Sequence, residues 1–289
     1  EVRPPDINHS LWDCTLETIG IGRVDAADIG SNENTKPFAL RMGFRQIKQF
    51  RQLEAERLVV ARKRGYDSIH NLWRRAELSV ASLEQLARAD AFVSISLSRR
   101  AALWEIRGLN APLPPLFDAA EARHGIYMLK PTVQVSLPDM ALGEEVIEDY
   151  KTLRLSLKHH PLALLRTELA PFGLTQNHCL SRMPSGQRVK VAGLVLVRQR
   201  PSTAKGVIFA TLEDETGVAN IIVWPPIFER YRQTVLSAKL LGVEGELQRE
   251  GIVIHVIAKH LTNLTANLAT LVTQTDAPQK SQTISRSRL

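Results

Sequence analysis

Residues 188–224 read RVKVAGLVLVRQRPSTAKGVIFATLEDETGVANIIVW, and residues 225–261 continue PPIFERYRQTVLSAKLLGVEGELQREGIVIHVIAKHL. The β-branched residues Val189, Val191, Val195 and Val197 predict a first strand from Arg188 to Val197. Gly193 weakens a flat strand but suits a bulge or sharp bend. A small barrel needs that bend, because its first strand must pair with both halves of the sheet. Arg200-Pro201-Ser202-Thr203 breaks the run as a loop. A second strand is expected over Val207 to Glu213, a hairpin turn at Asp214-Glu215-Thr216-Gly217, and a third strand over Val218 to Trp224. Pro225 and Pro226 open a helix, where a missing N–H costs nothing. Ile227, Tyr231 and Val235 fall on one face of that helix. Leu240 to Gln248 and Ile252 to Leu261 read as fourth and fifth strands around the turn Arg249-Glu250-Gly251.

Three strands, a helix and two further strands at this spacing are the order of an oligonucleotide-binding (OB) barrel. On the second strand Ile208, Ala210 and Leu212 can fill the barrel, which points Phe209, Thr211 and Glu213 outward. Phe209 is then an exposed aromatic on the face where such barrels stack the bases of single strands. Arg198, Arg200 and Lys205, carried by the loop after the first strand, are placed to track phosphates. The plainer alternative is a core Phe209 and a loop whose cations are merely solvated.

With 289 residues, 44% hydrophobic and 23% charged, the chain is long enough for two globular domains. A net charge of +7 fits nucleic acid or an anionic membrane surface as partner. No apolar run is long enough to span a bilayer, and the polar start EVRPPDINHS is not expected to act as a signal peptide. The chain begins at Glu1 without methionine and is read as a piece of a longer protein. Cys14 and Cys179 are far apart, form no CxxC pair, and have no zinc spacing with the histidines. A reducing, cytoplasmic setting is expected. The adjacent His178 and Cys179 are read as a loop coincidence.

Residues 1 to about 36 look irregular, with short strands at best. A helix is expected from about Leu53 to Lys63 and a short one from Ile69 to Arg75. Ser79 caps a third helix through Ala89, carrying Val80, Leu83, Leu86 and Ala87 as its apolar stripe. Ser98 caps another, with Ala101, Leu103 and Trp104 inward. Short helices, tight turns and many arginines fit helix-hairpin-helix units, which hold phosphates through turn N–H groups and helix N-termini. They fit equally a structural helical domain with solvated arginines. Prolines mark residues 110 to 140 as a linker. Gly143 opens a helix with Val146, Tyr150, Leu153 and Leu157 on one face, and Leu162 to Leu169 forms another. Residues 265–289 are rich in Thr, Ser, Gln and Asn and read as disordered.

Four stretches together resemble the C-terminal part of bacterial C-family DNA polymerases, on the error-prone, damage-tolerant branch. EVRPPDINHSLWDCTLE resembles the end of the fingers region. ALRMGFRQIK, with ARKRGYDSIHNLWRRAELSVASLEQLARADAF, resembles the tandem helix-hairpin-helix module. GEEVIEDYKTLRLSLKHHPLALLR resembles the joining segment, and GLVLVRQRPSTAKGVIFATLEDETGVANIIVWP the OB domain. The resemblance implies an α+β multidomain chain, with a helical helix-hairpin-helix module followed by a five-stranded OB barrel. Its parts would be the end of the fingers at 1–36, the DNA-binding module at 37–125, a helical linker at 126–182, the OB domain at 183–264 and a disordered tail at 265–289. The module would grip duplex DNA, with Lys48, Arg51, Arg99 and Arg100 as candidate contacts, and the barrel would hold single-stranded template. Implied partners are DNA, the sliding clamp and translesion accessory proteins.

Two departures from the family pattern stand out. Gln49 follows Ile47-Lys48 where the family has glycine in the phosphate-binding turn, and a Cβ tolerates a left-handed turn poorly. The family's catalytic carboxylates and their Mg²⁺ ions belong to a palm domain expected before Glu1, so this chain alone should bind no such metal and not polymerise. Asp25/Asp28 and Glu213-Asp214-Glu215 are the nearest carboxylate groups, and both read as solvated. Besides a decayed remnant that does not fold stably, two other readings stay open. One is a stand-alone single-strand-binding module. The other is an RNA-binding barrel, because FATLEDETG also resembles the anticodon-binding barrels of some aminoacyl-tRNA synthetases.

Overall fold

The computed structural model of the chain describes residues 1–18, 38–109, 137–251 and 253–273. Asp25 and Asp28, most of the expected linker, and 274–289 of the expected tail lie outside these residues. The chain divides into two compact units. One comprises Glu1–Met140 with Glu148–Leu157, and the other Ala141–Ile147 with Lys158–Leu289.

In the first unit, strands β1 (Val2–Arg3), β2 (Thr15–Thr18) and β3 (Phe38–Arg41) form a sheet in the order β1-β3-β2. Glu17 ties the sheet together, accepting from Arg3 at 3.0 Å and from Arg41 at 2.8 and 3.0 Å. Helices α1 (Gln52–Ala61), α2 (Ile69–Ala76), α3 (Val80–Arg88) and α4 (Arg99–Gly108) follow. The serine caps read from sequence are present, with Ser79 accepting from the Ser82 N–H at 3.2 Å and Ser98 from the Ala101 N–H at 3.4 Å. Leu83, Leu86 and Ala87 are buried as expected. On α4 the inward residues are Ala102 and Ile106, four apart, so Trp104 turns out to solvent. Phe44, Leu58, Leu72, Leu83, Phe92 and Ile106 form one apolar core that also takes in Ile7. The irregular start of the chain is thus packed into the helical unit.

A further helix, α5, runs from Leu142 to Thr152 and contributes residues to both units. Its Asp149 is buried in the first unit and receives a charged hydrogen bond from the buried Arg99 of α4. Ser156 donates to the other carboxylate oxygen at 2.7 Å.

The second unit opens with helix α6 (Pro161–Leu169), followed by a run of 3-10 turns at Asn177–Arg182. Strands β4 (Arg188–Gln199), β5 (Ile208–Asp214) and β6 (Gly217–Val223) come next. Helices α7 (Pro225–Arg230) and α8 (Arg232–Ser237) lead into β7 (Leu240–Glu250) and β8 (Val253–Asn263). The strands close into a barrel in the order β4-β5-β6-β8-β7. β4 pairs with β7 from Arg188 to Leu194 and with β5 from Leu194 onward, so the bend lies beside Gly193. A Cβ there would lie 2.8 Å from Glu213 backbone atoms, which is why glycine occupies the corner. The register shift itself falls two residues later, between Val195 and Val197. The single helix expected after β6 is broken at Tyr231, whose backbone leaves the helical region at φ −115 and ψ 26.

Two sequence expectations are corrected in this unit. Asn267–Thr273 form helix α9 within the stretch read as disordered. Leu264 and Leu271 bury against Leu162, Leu165 and Leu169. The polar residues of α9 are used as well, Thr270 donating to Glu168 at 2.7 Å. Asp214 is not a solvated turn residue but is buried. Its Oδ1 accepts from the Thr216 N–H, the Thr216 hydroxyl and the Gly217 N–H at 2.7, 2.6 and 3.0 Å. Its Oδ2 accepts from the Asn177 N–H and from Arg166, both at 2.8 Å. Burial alone would push the carboxyl up. The hydrogen bonds from Thr216 and Asn177 and the Arg166 charge outweigh that and hold it below the ordinary aspartate value.

Arg99→Ala leaves Asp149 buried and uncompensated, and should cost about 3–5 kcal/mol in urea unfolding of the first unit. Asp214→Ala strips one carboxylate from five donors and should cost the second unit a similar ~3–5 kcal/mol. Because the folded Asp214 pKa is depressed, its stabilisation is complete above the ordinary value of 3.8 and is lost as pH falls through the lower folded value. The urea midpoint of the second unit should therefore fall steeply below pH 3.8 in the wild type and more gently in Asp214→Asn.

Candidate nucleic-acid interface

The hairpin between β5 and β6 fixes which side chains face outward. Phe209 lies opposite Ile222, Thr211 opposite Asn220, and Glu213 opposite Val218. Directly opposed residues share a face, and Ile208, Ala210, Leu212, Ala219, Ile221 and Val223 are all buried inside the barrel. Phe209 is thus an outward aromatic at 36% exposure. The face continues onto β8, where Ile257 lies beside Ile222 and His255 beside Asn220. It continues onto β4 as well, where Gln199 lies opposite Phe209 and Val197 opposite Thr211.

Trp224 extends the same alternation beyond Ile222 and is 50% exposed. Its backbone is still extended, at φ −70 and ψ 153, so the pleat carries it to the outward side. It is the diagonal neighbour of Phe209 across the hairpin. Sequence reasoning placed Trp224 at the end of its strand without assigning it a role. The signal was present in the series Val218, Asn220, Ile222, Trp224.

The candidate cations are placed differently from one another. Arg198, Arg200 and Lys205 are all exposed. Arg198 pairs with the inward Ala210, so the pleat puts it on the side opposite Phe209, and burial pushes its guanidinium pKa down. Arg200 lies over the Phe228 ring of α7, 5.3 Å from its centroid, and Arg232 of α8 lies over the same ring at 5.8 Å. Two guanidinium groups from separate elements thus converge at the Phe209–Trp224 end of the barrel. Lys205 adopts a left-handed backbone at φ 47, ahead of Gly206 at φ 86.

In the helical unit, Lys48 and Arg51 are exposed and flank Gln49. Gln49 keeps the left-handed conformation at φ 65, so the turn holds its shape although a Cβ there costs about 1–2 kcal/mol. Two N–H groups of the turn are used internally, Lys48 to Thr152 at 2.9 Å and Phe50 to Ile47 at 3.2 Å. Arg99 is 2% exposed and bound to Asp149, so it is not available to a phosphate, contrary to the sequence expectation. Arg100 is half-buried and donates to the Pro138 carbonyl at 2.8 Å. Among the described residues no cluster of His, Cys, Asp or Glu is arranged to hold a metal ion, and no helix is long and apolar enough to cross a membrane.

Residues 1–102 match the helix-hairpin-helix motif family, and residues 189–264 match the OB-fold nucleic acid binding domain family. The chain is 45% identical over 280 residues to the error-prone DNA polymerase of Sinorhizobium medicae, a match covering 94% of this chain and 25% of that one. It is 47% identical over 272 residues to the error-prone DNA polymerase of Ruegeria pomeroyi, covering 94% of this chain and 23% of the relative. A likeness to the asparaginyl-tRNA synthetase of Pyrococcus horikoshii is weak, with 18% identity, a TM-score of 0.28, and coverage of 32% of this chain and 22% of that one. The chain spans about a quarter of the length of the polymerases it matches. Along nearly its whole length it is homologous to the C-terminal part of error-prone DNA polymerases, with a helix-hairpin-helix region followed by an OB-fold barrel.

Proposed function

We propose that this chain is the DNA-holding region of an error-prone DNA polymerase, with single-stranded template on the β5–β6 face and duplex on the helical unit. The observation that carries the reading is the outward pair Phe209 and Trp224, exposed side by side on a barrel whose interior is already filled. Each base has a π-face, so such a pair binds single strands with little regard to sequence. Arg200 and Lys205 are exposed at the same end, which supplies charge for the phosphates. In the helical unit the phosphate contact falls to Lys48, Arg51 and the left-handed turn at Gln49.

The relatives' name, error-prone DNA polymerase, supports low-fidelity DNA synthesis as the work of the whole protein; addition at damaged template, in DNA repair in the bacterial cytoplasm, is part of the same proposal. Mg²⁺ would be held by a palm domain, and a sliding clamp and translesion accessory proteins would be its partners. A stand-alone single-strand-binding module is the second reading, favoured by the closed barrel alone.

Fluorescence anisotropy with labelled single-stranded DNA, duplex DNA and RNA of equal length, at two salt concentrations, tests this. Single-stranded DNA should bind with strong salt dependence. Phe209→Ala and Trp224→Ala should each lose about 1–3 kcal/mol of single-strand affinity while leaving duplex affinity unchanged. Arg200→Ala should lower the salt slope by about one phosphate contact. Preference for RNA, or unchanged affinity in both aromatic variants, would overturn the assignment of this face.

A further inference from the structure

The β5–β6 face ends, away from Trp224, in a cavity of about 300 Å³. It lies between the 3-10 turns at Asn177–Arg182, the start of β6 and the start of β8. Val218 and Ile254 are apolar on its walls, while Asn220, His178 and Ser181 carry the polar groups. Asn220 and Val218 belong to the same outward row as Ile222 and Trp224, so the cavity adjoins the proposed stacking face on that side, while Ala219, Ile254 and Val256 line it from the inward side of the barrel wall. From Val218 to Trp224 the strand rises about 20 Å at ~3.4 Å per residue, room for several nucleotides between the two ends.

The wall is built in advance rather than loosely draped. Arg249 donates to the carbonyls of Ser181 and Met183 at 2.6 and 3.1 Å. The Asn177 N–H donates to buried Asp214, and the His178 N–H donates to the Thr216 hydroxyl at 3.1 Å. The Asn177 amide donates to the Gly217 carbonyl at 3.1 Å and the Leu212 carbonyl at 3.5 Å. Those bonds fix its orientation and leave its buried Oδ1 without a donor. A buried acceptor of this kind calls for an explanation. Asn220 Oδ1 accepts from Thr211 at 3.4 Å, which leaves the Asn220 amide N–H groups as donors.

A volume near 300 Å³ is at the lower end for ligand pockets and is large enough for one base-sized ring system. We propose that it is a base slot. One nucleobase of the strand on the β5–β6 face turns into it, with its ring against the apolar Val218 and Ile254 and its hydrogen-bonding edge toward Asn220, His178 and Ser181. This rests on the single-strand reading above and adds to it a fixed position along the strand, where the stacking face by itself sets none.

The test is an abasic scan by fluorescence anisotropy on the full chain, in which each position of a short single-stranded DNA in turn lacks its base. Val218→Trp fills the slot from an exposed position, and Asn220→Ala removes a donor without filling it. Thermal unfolding confirms that each variant is folded. Wild-type affinity should fall roughly tenfold when the base is missing at one position away from the Phe209 and Trp224 contacts. Val218→Trp should bind intact DNA roughly tenfold more weakly and become insensitive to base loss at that position. Asn220→Ala should give a smaller loss confined to the same position. An abasic profile unchanged by Val218→Trp overturns the slot and leaves the stacking face standing. Absence of single-strand binding by the wild type overturns both.

Discussion

The buried carboxylate of Asp214 is the constraint on which the barrel's outer face depends. It sits at the end of β5 and takes the Thr216 and Gly217 N–H groups, which fixes the hairpin turn. The turn fixes the β5–β6 register. A slip by one residue would carry Phe209 into the barrel and Ile208 out of it. The same carboxylate holds Asn177 and Arg166, so α6 and the 3-10 segment are referred to the same point. Removing a carboxylate with this many donors strands each of them, and this exceeds the small net value of any single bond.

The barrel was largely legible from sequence because its information is local. Alternation on β5 and β6 separates the inward from the outward set, and the turn residues set the pairing. The same alternation contains Trp224, which was available and not used. Asp214 was not legible. An aspartate in a D-E-T-G turn is ordinarily solvated, and its burial depends on Arg166, 48 residues earlier. Arg99 failed for the same reason, because its partner Asp149 lies 50 residues downstream. A cation on a capped, amphipathic helix looks the same in sequence whether it meets a carboxylate or solvent.

Composition misled at the end of the barrel. Residues 265–289 taken together are polar enough to look unstructured, yet Leu268 and Leu271, with Leu264 just before them, recur at helical spacing and pack on α6. A few leucines at the start of a polar stretch carry little weight in an average and much in a periodicity. Gln49 makes the opposite point. The residue departs from glycine, but the backbone keeps φ 65, so the surrounding contacts over-determine the turn. The Lys48 N–H to Thr152 is one of those contacts, reaching from the hairpin to the end of α5.

Exposed apolar side chains on a barrel need a reason, because folding gains nothing from leaving them in water. Val197, Phe209, Val218 and Trp224 are all exposed, and all lie on the outward surface of β4, β5 and β6 or at its edge. They cannot be core residues awaiting closure, since the barrel is already closed and its interior filled by the opposite set. The cations at one end do not explain them either, because Arg200 and Arg232 gather on the buried Phe228 ring rather than cover the exposed ones. An apolar row with guanidinium groups at one end and a polar-lined cavity at the other matches a ligand that is itself divided into flat rings and anionic linkages. This division of the surface is the physical basis on which we propose a single strand of nucleic acid, rather than a folded protein, as its occupant.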